Sequence, residues 1–339
     1  MSRKIKVGIV DTGIHAEHPY LKDKIVGIYE YCAEQKDIYA VPKTTCNDQN
    51  GHGTACASVI VKECPMVELY VYKLLDRQGE ANLLALENTL YTLLNTELDI
   101  INLSLSIEKQ KRSHELKYLC KELEKQGKLV IVALKNHEYK SYPSAYRFCY
   151  GVRGSILDNR DDFWFSKYRQ IQCIVDSTPF LHCDTTCGYH MFGKSNSYAA
   201  AKMTGKIARI LAEGGKCDMR QMNKILSENA KRNFWHSSEL RTSRRFPDLK
   251  QYENVVDNTL VTSIEEIVKA YLRVDIKNLR EHFLFGQDIG LKYELCYSLL
   301  KELELRFGFQ VYDYTKISRE DFYTIGHLSY LIQRQMQAE

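Results

Sequence analysis

At 339 residues with 44% hydrophobic content, the chain is long enough for more than one compact unit and too apolar for a disordered tail. Its net charge of +4 is small and, apart from Arg241, Arg244 and Arg245, unclustered; this argues against a nucleic-acid partner and makes that trio a solvated patch. Eleven scattered cysteines, an odd number, suit a reducing compartment better than a disulfide framework.

The apolar run Lys6 to Val10 predicts a buried strand, stopped by the turn residues Asp11-Thr12-Gly13. It begins so near the N-terminus that no signal peptide, membrane anchor or propeptide is expected, which points to the cytoplasm and away from a membrane partner. Gly51-His52-Gly53-Thr54 precedes ACASVIV, a buried-helix pattern, and the glycines allow close backbone approach to the imidazole. The run LVIVALKNH predicts a second buried strand, which ends at Asn136. His182, Cys183, Cys187 and His190 offer four soft-metal ligands within nine residues, but their spacing fits no common zinc module and Gly188 suggests a hairpin turn. Ser197 opens a helix rich in small residues that continues through Gly205, and an amphipathic helix follows over Met219 to Ala230. Taken singly, Asp11 also reads as a turn former, His52 as a solvated histidine, Ser197 as an N-cap and Asn136 as a turn residue.

Together, VGIVDTGIHAEHP, NGHGTACASVI and SNSYAAAKMTG resemble the subtilisin-like (subtilase) family, read as D-T/S-G, H-G-T and G-T-S-x-A-x-P in the order Asp, His, Ser. The resemblance implies a three-layer α/β sandwich with a mostly parallel sheet and a serine endopeptidase in which Ser197 is nucleophile, His52 general base and Asp11 its orienter. It also implies that Asn136 stabilises the oxyanion, that Ser104, Leu105, Ser106 and Lys135 line the substrate channel, and that Leu75 to Asn82 covers its other side. No catalytic cofactor is implied, and the calcium loops of relatives vary too much to assign. The chain departs from the pattern at Ser106 and Lys135, where glycines are usual, and at Ala201, where proline is usual. The first two polarise or narrow the pocket. The last leaves open a ligase or macrocyclase that uses the same acyl-enzyme, and a catalytically silent peptide-binding protein is a further alternative.

Residues 1–235 carry this reading, 236–258 read as a linker or wrap-around segment, and 259–339 as a small all-α bundle. Its stripe of Leu295, Leu299, Leu303 and Phe307 recurs every four residues, and further helical patterns run from Ser263 and through IGHLSYLIQRQ. The layout resembles an acyl or peptidyl carrier protein, but Tyr293 stands where the arm-bearing serine would be, so no phosphopantetheine is expected; an unrelated bundle is the alternative. The combination implies a dedicated peptide or precursor-peptide substrate: leader removal from a ribosomally made, modified peptide of the bacteriocin or lanthipeptide kind, with the second domain docking the precursor or a maturation enzyme.

Overall fold

The computed structural model describes residues 3–42, 48–105, 113–241, 245, 248–252 and 255–337. Two compact units emerge: Met1–Ser177 with Cys183–Cys187 and Gly193–Arg244, and Thr178–His182 with Gly188–Phe192 and Arg245–Glu339.

The first unit runs β1 (Ile5–Asp11), β2 (Ile25–Cys32), β3 (Asp37–Val41), α1 (His52–Glu63), β4 (Val67–Lys73), α2 (Leu83–Leu94), β5 (Ile100–Leu103), α3 (His114–Lys125), β6 (Leu129–Ala133), β7 (Tyr150–Ser155), β8 (Phe163–Phe165) and β9 (Cys173–Asp176). A hairpin of β10 (Phe180–Cys183) and β11 (Tyr189–Phe192), assigned except for Cys183 to the second unit, follows in the chain, and α4 (Asn196–Gly214) and α5 (Met219–Asn229) then complete the first. Among the described residues one sheet has the order β3-β2-β4-β1-β5-β6-β7-β9-β8, parallel except for the outer pairs β3-β2 and β9-β8.

Strands β5 and β6 are buried at every residue, the pattern of a sheet covered on both faces. Side chains alternate across it. Ile101 and Leu103 join Leu86 and Leu90 of α2 and Leu116 and Leu119 of α3 in one cluster. Asn102, between them, points the other way and accepts a hydrogen bond from Thr204 Oγ1 of α4 at 3.0 Å. Helix α1 lies against α4 there, so closely that a Cβ on Gly205 would fall 2.4 Å from Glu63 Cβ and 3.0 Å from Ile60 O. The expected three-layer α/β sandwich is therefore the observed one.

The strand expected to reach Asn136 ends at Ala133. Leu134 N still bonds Val152 O at 2.9 Å, but Lys135 N turns to Ser141 Oγ at 2.9 Å and His137 takes a left-handed φ of 64°. Asn136 thus sits in a turn beyond the strand.

In the second unit α6 (Asn258–Leu272), α7 (Tyr293–Phe307) and α8 (Ile325–Met336) close around a core that includes Ile264, Leu299, Leu303 and Leu328, all 0% exposed. Helix α6 starts five residues before Ser263 because Asp257 caps it, its carboxylate accepting from Thr259 N at 2.8 Å and Leu260 N at 3.1 Å. This unit also takes in strand residues: Leu181 N donates to Ile317 O at 2.9 Å and Arg319 N to Pro179 O at 2.9 Å. Arg245 corrects the solvated-patch reading. It is part-buried, its Nε paired with Glu320 Oε1 at 2.9 Å and a second nitrogen bonded to Thr178. Arg244 and the side chain of Arg241 lie outside the described residues. Tyr293 opens α7 half-buried, edge-on to Phe285 with Arg319 over its ring, and burial pushes its phenol up to about 12.

Candidate active site

Asp11 is the last residue of β1 and is 0% exposed. His52 is the first residue of α1, so the parallel sheet and the helix that covers it bring two distant sequence positions together. His52 Nδ1 lies 2.7 Å from Asp11 Oδ1, which also accepts from Thr12 N at 2.8 Å. The approach depends on Gly53, where a Cβ would fall 2.2 Å from the carbonyl oxygen of Gly13. Burial disfavours a charged imidazole, but the adjacent Asp11 carboxylate, aided by Cys56, outweighs it and holds the His52 pKa well above the ordinary 6.5. About a quarter of the His52 side chain, 26%, remains accessible.

Ser197 stands in the first turn of α4, but it is not the cap. That place belongs to Ser195, whose side chain accepts from Tyr198 N at 3.1 Å. Ser197 Oγ donates instead to Ser104 O at 3.1 Å, and Ser104 Oγ donates back to Ser197 O at 3.4 Å. Ser104 is further held by Asn102 Nδ2 at 2.8 Å. Asn136 is exposed and anchored through its carbonyl end, Oδ1 accepting from Asn196 N at 3.2 Å. That bond leaves the two N–H donors of the amide for other use.

His52, Ser197, Ser104, Leu105 and Lys135 line one cleft of about 740 Å³, walled opposite by Leu75 and Gln78 to Leu83. The edge expected over Leu75 to Asn82 is thus a wall of the cleft, and Asn50 Nδ2 ties it to the His52 loop through Arg77 O at 2.9 Å. Ser106, expected in the same channel, lies outside the described residues.

The sequence reading missed Asp48. It is 3% exposed and accepts five hydrogen bonds, from Thr12 Oγ1, Asn50 N and Gly51 N on Oδ1 and from Thr54 N and Thr54 Oγ1 on Oδ2. Burial opposes its charge, but these donors outweigh burial and hold its carboxyl below 3.8. The signal was present, since Asp48-Gln49-Asn50-Gly51 is a turn sequence and an Asp that opens a turn accepts from the backbone two and three residues on. Cys56 was missed too, although four residues after His52 puts it on the same face of α1.

Among the described residues the hairpin candidates His182, Cys183, Cys187 and His190 are not brought together as one ligand group. His182 and Cys183 lie in β10, His190 lies in β11, and the exposed Cys187 meets His15 Nε2 at 3.0 Å. Among the described residues the group whose ligand atoms gather within 4.8 Å is Asp11, His52 and Cys56. A thiol and an imidazole do not suit calcium, so this group is no calcium site.

Residues 2–258 match the subtilase family of peptidase S8. The major intracellular serine protease of Bacillus subtilis (strain 168) is 28% identical over 228 residues, 61% of this chain and 68% of that protein. Sphericase superposes with a TM-score of 0.56 at 18% identity over 67% of this chain and 83% of its own. A lanthipeptide protease crystal structure gives 0.56 at 19% over 68% and 81%. Among the described residues no helix is long and apolar enough to cross a membrane. The chain belongs to the subtilase family, serine proteases that hydrolyse peptide bonds.

Proposed function

We propose that Ser197 attacks the scissile carbonyl, His52 takes its proton and returns it to the leaving amine, and Asp11 holds the imidazole through Nδ1. The Asn136 amide and the Ser197 backbone N–H donate to the oxyanion, and water activated at His52 then frees the acyl-enzyme. The observation that carries this reading is the 2.7 Å Asp11–His52 bond at the edge of a cleft that Ser197 also lines. The hydroxyl must turn from Ser104 O to His52 on substrate binding, and catalytic hydrogen bonds commonly tighten only then. A fluorophosphonate probe labels Ser197 of the wild type and not S197A. No adduct in folded wild-type protein overturns the assignment.

The substrate is a dedicated precursor peptide made by the ribosome and modified afterwards, from which the enzyme removes the leader in the cytoplasm. The fold shared with a lanthipeptide protease supports this reading, as does Lys135 on a cleft wall. The second unit, expected over 259–339 as a carrier-like module without its arm, docks the precursor through exposed apolar residues such as Leu305 and Tyr312. Mass spectrometry of a precursor incubated with the enzyme gives cleaved leader and core. Loss of water with ring closure instead selects a ligase. The pair L305D and Y312A lowers kcat/KM for the full precursor but not for a short peptide spanning the cleavage site. Equal losses on both remove the docking role.

A further inference from the structure

Cys56 touches the site without a part in the acyl-transfer scheme. Its Sγ is fully buried, 3.9 Å from Nδ1 and 4.0 Å from Nε2 of His52. Asp11, buried beside it, spends Oδ1 on His52 and Thr12 N, while its Oδ2 has no hydrogen-bond partner. A buried carboxylate oxygen left in that state costs free energy and calls for a reason. All three groups present a ligand atom within 4.8 Å of the others.

We propose that Asp11 Oδ2, His52 and Cys56 form a reversible inhibitory site for a borderline-soft divalent cation of the zinc class. A thiolate, an imidazole and one carboxylate are a donor set for zinc and its neighbours, not for calcium or magnesium. Tetrahedral zinc, with bonds of about 2.3 Å to sulfur and about 2.0–2.2 Å to nitrogen and oxygen, holds its ligand atoms about 3.3–3.6 Å apart. The 3.9 Å between Cys56 Sγ and His52 Nδ1 lies just beyond that range and the three groups offer ligand atoms within 4.8 Å of one another, so closing by about 1 Å fits the ion. On binding, the thiol releases its proton to solvent, the imidazole gives up its Nδ1 proton and keeps its one N–H on Nε2, and the metal takes the freed lone pair of Nδ1, the nitrogen that faces Asp11. Asp11 then no longer orients His52, and proton transfer from Ser197 stops. Access is through the substrate cleft, where part of the imidazole is open. The inhibition rests on the proposed role of His52; the metal site does not.

The test uses the full chain with calcium held in constant excess. Zn²⁺ is titrated into the peptidase assay, each variant scored against its own metal-free rate, and a zinc-selective chelator is added afterwards. Wild type is inhibited and recovers. C56S needs at least ten times more Zn²⁺ for the same fractional loss. Separately, Co²⁺ added to wild type and to S197A gives a near-ultraviolet cobalt–thiolate absorption that is missing from C56S. Equal Zn²⁺ sensitivity of C56S overturns the inhibitory role. A cobalt spectrum identical with and without Cys56 overturns the site itself. Since the cobalt band needs no turnover, it separates failure of this site from failure of the Ser197 assignment.

Discussion

Helices α1 and α4 both carry a functional residue in the first turn, yet their starts are built differently. Helix α4 is capped locally, by the side chain of Ser195 on Tyr198 N. Helix α1 has Gly51 at its cap position, with a φ of 92° and no side chain to offer. Two of its early N–H groups, those of Gly51 and Thr54, turn to Asp48, a buried carboxylate upstream that also grips Thr12, the residue after Asp11, and Thr12 Oγ1 in turn accepts from Gly53 N. One carboxylate therefore fixes both halves of the Asp11–His52 pair, whereas the serine side leans on its own turn and on Ser104. Damage to the histidine side should spread through the site, and damage to the serine side should stay local.

The largest expected effect is at the pair itself. D11N keeps the shape but allows the wrong tautomer, so kcat/KM falls about 10⁴-fold. In wild type the free enzyme needs neutral imidazole, so the acid limb of the kcat/KM profile lies well above pH 6.5. Without the Asp11 charge that limb moves to lower pH. The stability sign is the reverse of the activity sign. A raised histidine pKa stabilises the fold fully below 6.5 and loses that contribution as pH rises through the folded value. The Tm gap between wild type and D11N should thus shrink as pH rises; a gap that widens refutes the pairing. Next in size, N136A should cost about 10²–10³-fold in kcat, the loss seen when a subtilisin oxyanion donor is removed. Its Tm should barely move, because Asn136 is exposed and holds one backbone N–H. A change confined to KM would remove Asn136 from the oxyanion role.

These positions differ in how far the sequence exposed them. Asp11, His52 and Ser197 were legible because short motifs of turn and small residues surround them, and β1 and β6 because strands buried on both faces are continuous apolar runs, whereas β5 was placed by the family resemblance. The end of β6 was not legible, since Lys135 leaves the sheet for the hydroxyl of Ser141, a bond made by a residue six places on. Ser195 was hidden because any of the serines before the helix could have capped it, and only backbone geometry decides. Asp48 and Cys56 carry no signature of their own. Their meaning comes from what folds over them, as with Arg245, which composition assigns to solvent and Glu320 draws into an ion pair.

The histidine and serine sides separate most clearly in the two smaller effects. D48N keeps one acceptor oxygen but turns an NH₂ toward donors, losing charge-assisted bonds to Thr12, Gly51 or Thr54, for about 3 kcal/mol. Urea unfolding at neutral pH should show that loss together with a fall in kcat. In wild type the same contribution is lost as pH drops from 3.8 through the lower folded value of Asp48, so the two proteins should converge in acid. S195A removes one N-cap bond and should cost only about 1 kcal/mol. Because Ser197 is held independently by Ser104, kcat of S195A should stay within about a factor of two, a change of only about 0.4 kcal/mol in the barrier. Equal kcat losses in D48N and S195A would mean that both helix starts are coupled to the chemistry in the same way. A stability loss in both, with a kcat loss in D48N alone, is the result that the remote cap of α1 demands.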